Sequence, residues 1–277
     1  MNATVAARSG RVRARRAAGP MTKGAARAGL AARGVIYLLV GTLALQVAFG
    51  DHGKQADRSG ALEELSRRPF GSVLLWALGV GVCGMALWRL SEVAFGSAGE
   101  DGRKARKRLL AAVRCVFYCS VAFSVLSFAA GSGGGNRSSD AQSRDMTARA
   151  LALPGGQWLV GLAGAGIVVA GVWVGARAVR RYYHDKLRLG EMTRRQRRAV
   201  DVTGVGGGAA RGLVFATAGC FAVRAAVDYS PDRAKGLDDT LRTFAELPMG
   251  PWLLACVAAG LVLFGLFSFA LARWRRV

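Results

Sequence analysis

Apolar residues in this chain are gathered into blocks rather than alternating with polar ones. Six blocks of about 20 residues run roughly over 29–50, 70–90, 110–131, 156–177, 205–227 and 250–272. A helix of about 20 residues crosses about 30 Å of hydrocarbon, so each block predicts one transmembrane helix. Within a bilayer the backbone must satisfy its own hydrogen bonds, which favours helices. The short alternating segments of a membrane barrel are absent. The predicted fold is all-α, with six transmembrane helices.

The blocks repeat in pairs. Arg33 opens RGVIYLLVGTLALQVAFG, Arg114 opens RCVFYCSVAFSVLSFAAG and Arg211 opens RGLVFATAGCFAVRAAVD. Tyr37, Tyr118 and Phe215 follow four residues on, and Gly41, Ala122 and Gly219 eight residues on. The even blocks align on Pro69, Pro154 and Pro248, with Gly71, Gly156 and Gly250 two residues later. Gly81, Gly166 and Gly260 follow at twelve, and Trp88, Trp173 and Phe267 at nineteen. A proline at the start of a helix loses no hydrogen bond. Glycines let membrane helices approach, and a late aromatic suits the interface. Each unit holds two spans, so the copies are parallel, and a pseudo-threefold bundle is the simplest packing. The expected organisation is a disordered basic tail (1–25) followed by repeats at 26–96, 108–181 and 200–277. ALEELSRR and LDDTLRTFAEL are amphipathic enough for short surface helices, whereas GSGGGNRSSD has the composition of a flexible linker.

Charge sets the orientation. The chain has 277 residues and a net charge of +22. Of its 39 Lys and Arg, 26 lie in the N-terminal stretch, the second and fourth loops and the C-terminus, against 10 in the other three loops. The positive-inside rule then places both termini in the cytoplasm and the protein in the cytoplasmic membrane. The tail up to residue 20 has five arginines but no apolar run for a signal peptide. It has no aromatic residues among its charges, which speaks for anionic headgroups rather than nucleic acid as its partner.

The pattern ARAGLAARGVIYLLVG, then ADRSGALEELSRRPFG, then LLWALGVGVCGMALWRL resembles the bacterial membrane family known as domain of unknown function 1206. The likeness covers nearly the whole chain from about residue 25. It is weakest in the second unit, where Cys115 follows Arg114 in place of glycine. The resemblance implies three two-helix units and supplies no mechanism.

Polar groups inside a membrane are the natural candidates for function. Arg33, Arg114 and Arg211 would form a ring near the cytoplasmic face. They read either as snorkelling anchors, which their nearness to the block ends favours, or as a site for an anionic headgroup or solute. Thirteen residues after each comes Gln46, Ser127 or Arg224, with Thr42, Ser120, Thr217 and Cys220 at similar angles. This weak polar stripe reads as interhelical hydrogen bonding or as the lining of a vestibule, with Asp228 the expected partner of Arg224. Five cysteines inside apolar blocks read as buried thiols. His52 and His184 lie in loops on opposite sides, so no metal is expected. Without a catalytic motif or cofactor fingerprint, the expected function is that of a non-enzymatic structural or accessory membrane protein. The alternative is a pseudo-threefold transporter or small channel.

Overall fold

A computed structural model of the chain describes residues 3–50, 55–95, 105–131, 138–246 and 249–275. Its α-helices are α1 (Ala3–Ala48), α2 (Arg58–Ser66), α3 (Gly71–Phe95), α4 (Ala105–Ala129), α5 (Ser139–Leu151), α6 (Gly156–Val179), α7 (Arg194–Val227), α8 (Leu237–Ala245) and α9 (Gly250–Trp274). Six helical segments are long and apolar enough to cross a membrane: one in each of α1, α3, α4, α6, α7 and α9. The span within α1 is Gly24–Ala48. The helix itself runs back to Ala3, where a disordered tail was expected; alanine and arginine are strong helix formers. Residues 132–137, most of the linker-like stretch, lie outside the described residues. The next segment folds as α5, capped by the Ser138 hydroxyl, which accepts from the Ala141 N–H.

Each repeat is a long helix, a short helix and a second long helix. The corner between the short helix and the second long one is built the same way three times. Phe70, Gly155 and Met249 each have positive φ, and Gly71, Gly156 and Gly250 follow. A Cβ on these following glycines would come within 2.5 Å of the Leu65 oxygen, 2.0 Å of that of Ala150 and 1.9 Å of that of Ala245. No other side chain fits there, which explains the recurrent glycine two residues after each proline. Pro248 lies outside the described residues.

The long helices follow a cyclic order. Contacts between successive repeats are α3 on α4, α6 on α7 and α9 on α1. Within repeats, α1 packs on α3 and α7 on α9. The equivalent seam of the second repeat is missing, because α4 and α6 do not pack along their lengths. The pseudo-threefold ring therefore reads α4–α3–α1–α9–α7–α6 and is open between its ends.

The open seam has a cause in the sequence. In the first repeat, a Cβ on Gly29 would lie 2.5 Å from the Cβ of Met85 and 2.9 Å from its Cα. In the third, a Cβ on Gly207 would lie 2.4 Å from the backbone nitrogen of Phe264. The second repeat has Leu110 at this position, four residues before its arginine. One turn on, Ala32 meets Gly81 and Ala210 meets Gly260, but the second repeat has Val113 and Gly166 at these positions, and nothing lies within 4 Å of where a Cβ on Gly166 would be. Leu and Val in place of Gly and Ala take away the small residues on which the close approach in the other two repeats rests. Trp173 registers the result: it is 61% exposed, where its equivalents Trp88 and Phe267 are 7% and 6% exposed.

Candidate functional site: an arginine cluster and an aspartate clasp

The repeat arginines converge. Arg33 donates from Nε to the Ser268 hydroxyl of α9 at 3.2 Å and lies 5.1 Å from the Phe264 ring centroid. Ser268 donates in turn to the Phe264 carbonyl at 2.9 Å, so its oxygen is aimed at the arginine. Arg211 stacks on Phe264 and Phe215, each at 4.9 Å, and on Tyr37 at 5.7 Å. Tyr118, the repeat equivalent of Tyr37, stands within hydrogen-bonding reach of Arg33 and within the electrostatic range of Arg211 and Arg89. Arg114 is more exposed but shares the same surroundings, with Arg89, Glu92, Tyr118 and Arg211 as its charged and polar neighbours.

Two further arginines join them, and among the described residues one carboxylate, Glu92, is in contact with the group. Arg89 is 8% exposed, pairs with Glu92 at 2.6 Å and covers Trp88 at 4.2 Å. Arg275, just beyond α9, covers the same indole at 4.6 Å. Burial lowers the Arg275 guanidinium to about 10, with Arg89 and then Arg33 pushing in the same direction. It remains charged at neutral pH. The turn between α6 and α7 holds it there: the Arg188 N–H donates to the Trp274 carbonyl at 3.0 Å and Leu187 bridges Arg275. That turn is fastened by His184, Tyr183 and Arg181, which meet Asp201 at 2.5, 3.1 and 3.7 Å.

Among the described residues, five guanidinium groups stand around one glutamate, a positive excess. Moreover, the Nε atoms of Arg89 and Arg211 are buried without a hydrogen-bond partner among the described residues. A buried charged donor left unmatched is unfavourable unless something accepts from it. Rings under the guanidinium faces compensate partly through cation–π contact.

The polar stripe does not assemble comparably. Thr42, Ser120 and Thr217 donate to carbonyls of their own helices, those of Leu39, Phe117 and Leu213. Gln46 and Arg224 are exposed and Ser127 is half-buried. Asp228 lies 3.6 Å from Arg233, so the pairing expected with Arg224 is replaced by one within the following turn. Of the cysteines, Cys115 is buried and Cys83 partly so, but Cys119, Cys220 and Cys256 are exposed on their helices. His52 lies outside the described residues.

At the opposite end of the bundle is a feature the sequence did not announce. The N-termini of α2, α5 and α8 meet and cap one another in a circle. Asp57 is fully buried and accepts from the Ser59 hydroxyl at 2.6 Å, the Gly60 N–H at 2.9 Å and, across to α5, the Ser139 N–H at 2.7 Å. Asp140 accepts from the Asp239 N–H of α8 at 3.2 Å. Asp238 accepts from the Ala56 N–H before α2 at 2.7 Å and from Arg242 at 2.8 Å. Three helix N-termini, each positive by its dipole, thus share three carboxylates. Asp140, Asp238 and Asp239 lie close enough together to hold a cation, but backbone amides, Arg242 and Arg144 already engage them. Burial, with Asp239, Asp238 and Asp57 nearby, raises the Asp140 carboxyl to about 6. Hydrogen bonds to Asp57 outweigh its burial and hold its carboxyl below the usual range. The only linear signal for this clasp was acidic or hydroxyl residues at the start of each short helix.

A family model described as Domain of Unknown Function (DUF1206) matches residues 28–96, 110–181 and 206–275, once per repeat. The chain belongs to the DUF1206 family. It is similar to the uncharacterized protein YxxB of Bacillus subtilis (strain 168), with 33% identity over 251 residues, 90% of each chain. No solved structure matches it. Membership accounts for the threefold sequence pattern, and the arginine cluster is what this DUF1206 chain builds upon it.

Proposed function

We propose that this DUF1206 protein is a multi-pass, non-catalytic protein of the cytoplasmic membrane that holds an anionic group at its arginine cluster. The observation that carries this reading is the convergence of Arg33, Arg114 and Arg211 with Arg89 and Arg275 around Tyr118, two of their buried Nε donors being unmatched among the described residues. Guanidinium groups match carboxylate and phosphate oxygens in pairs and keep their protons, so they suit binding better than proton transfer. The loop bias of 26 against 10 Lys and Arg supports cytoplasmic termini and, with them, a cytoplasmic position for the cluster. The transport alternative draws less support, since the hydroxyls of Thr42, Ser120 and Thr217 are spent on their own helices.

The test is thermal unfolding of the full chain in a zwitterionic detergent, with inorganic phosphate exchanged for chloride at constant ionic strength. A ligand that binds only the folded state raises the midpoint. Phosphate should stabilise the protein by several degrees, and Arg211→Gln or Arg33→Gln should abolish the response. A wild-type protein indifferent to phosphate would overturn the reading.

A further inference from the structure

We infer that the open seam between α4 and α6 is the seat of one anionic phospholipid, with its acyl chain along the seam and its headgroup on the arginines. This rests on the anion-binding reading and names the source of the anion. The other two repeats show what the seam lacks. Where Gly29 meets Met85 and Gly207 meets Phe264, helices touch; Leu110 on α4 is exposed instead, and its partner position on α6 is the exposed Ala170. Val113 is likewise exposed, and a Cβ on Gly166, at its partner position, would meet nothing within 4 Å. The walls are apolar from Leu110 and Val113 to Gly166 and Trp173, which suits hydrocarbon rather than a hydrated solute.

Charge fixes the kind of lipid. Arg114 follows Val113 directly, and it is the exposed member of the three repeat arginines. On the other wall, Arg177 is exposed one turn beyond Trp173, its guanidinium 5.8 Å from the indole and 5.3 Å from the Tyr182 ring. The first repeat has Glu92 at the position of Arg177, so the basic residue belongs to the seam that stayed open. An exposed tryptophan beside arginines is the composition of an interfacial headgroup site. A headgroup on Arg114 adjoins Arg89 and Arg211, whose buried Nε atoms have no hydrogen-bond partner among the described residues.

The experiment counts bound lipid on the detergent-purified full chain by native mass spectrometry, after titration with phosphatidylglycerol or phosphatidylcholine. Wild type should retain one phosphatidylglycerol about tenfold more tightly than phosphatidylcholine. Gly166→Leu, which has open space to fill, should lose that lipid yet keep its stabilisation by inorganic phosphate. Arg177→Gln, which leaves the apolar positions Leu110, Val113 and Gly166 untouched, should weaken phosphatidylglycerol and not phosphatidylcholine. Equal retention of the two lipids, or undiminished retention by Gly166→Leu, overturns the inference. So does a wild-type dimer that Gly166→Leu dissociates, which would mean that a second copy fills the seam. If phosphate stabilises wild type while no lipid is retained, the lipid inference alone fails; if phosphate has no effect either, the anion-binding reading fails with it.

Discussion

Gly29 lies against Met85 so closely that a Cβ would come within 2.9 Å of the methionine's Cα and backbone nitrogen. Backbone cannot move aside as a flexible side chain can. Gly29→Leu, which gives the first repeat the residue of the second, should push α1 and α3 apart. Overpacking of this kind typically costs about 1–3 kcal/mol. A fall in the thermal midpoint of the purified protein checks it; an unchanged midpoint would mean that the contact tolerates bulk.

The same logic runs in reverse at the open seam. Cysteine pairs at Ala32 and Gly81, or at Ala210 and Gly260, should cross-link on mild oxidation in a background lacking the five native cysteines, because these positions are in contact. The equivalent pair at Val113 and Gly166 should not. Adding Leu110→Gly should raise its cross-linking. Band shifts on gels read all three, and efficient cross-linking of Val113→Cys with Gly166→Cys would show the seam closed.

Asp57 should be among the least tolerant polar positions. Its carboxylate is buried and answers three donors on two helices. Asp57→Ala leaves those donors unmatched, at roughly 1–3 kcal/mol for each buried group that stays dry. Loss of amide-exchange protection should appear in α5 as well as α2, since Ser139 shares the bond. Protection lost from α2 alone would contradict the clasp.

Asp140 predicts a pH dependence of unusual sign. Its folded pKa of about 6 lies above its ordinary value of 3.8, so between these the folded protein binds the proton more tightly. The clasp should therefore strengthen as pH falls through 6 and weaken as pH rises through it. Asp57, with its pKa held down, works oppositely and is lost only below 3.8. Asp140→Asn keeps an acceptor for the Asp239 N–H and removes the charge. It should raise the midpoint at pH 7.5, by on the order of 2–4 °C for 1 kcal/mol, and flatten its dependence between pH 5 and 7. Thermal scans across that range decide it, and a variant with the wild-type slope would assign the titration elsewhere.

Hydrophobic blocks and repeat offsets made the six helices and their threefold relation legible, because membrane spanning and helix contact each impose a local demand on composition. The convergence of Arg33, Arg114 and Arg211 followed from their shared offset once a ring was assumed. Arg89 reads in the sequence as a snorkelling arginine near the interface, whereas it is 8% exposed, and Arg275 carries no linear signal at all. The open seam was written in Leu110 and Val113, both upstream of the arginine from which the repeats were aligned. The clasp was the least visible. Asp57, Asp140 and Asp238 do not share one repeat offset, and each serves a neighbour's amide rather than its own helix alone.

The clasp also decides how the open ring can move. It ties α5, the link between α4 and α6, to α2 and α8 at one end only. The bundle is then a pair of tongs, riveted at the aspartates with its jaws at the arginines. The fastened end is thus the one away from Arg114 and Arg177, and the side between α4 and α6 carries no such fastening among the described residues.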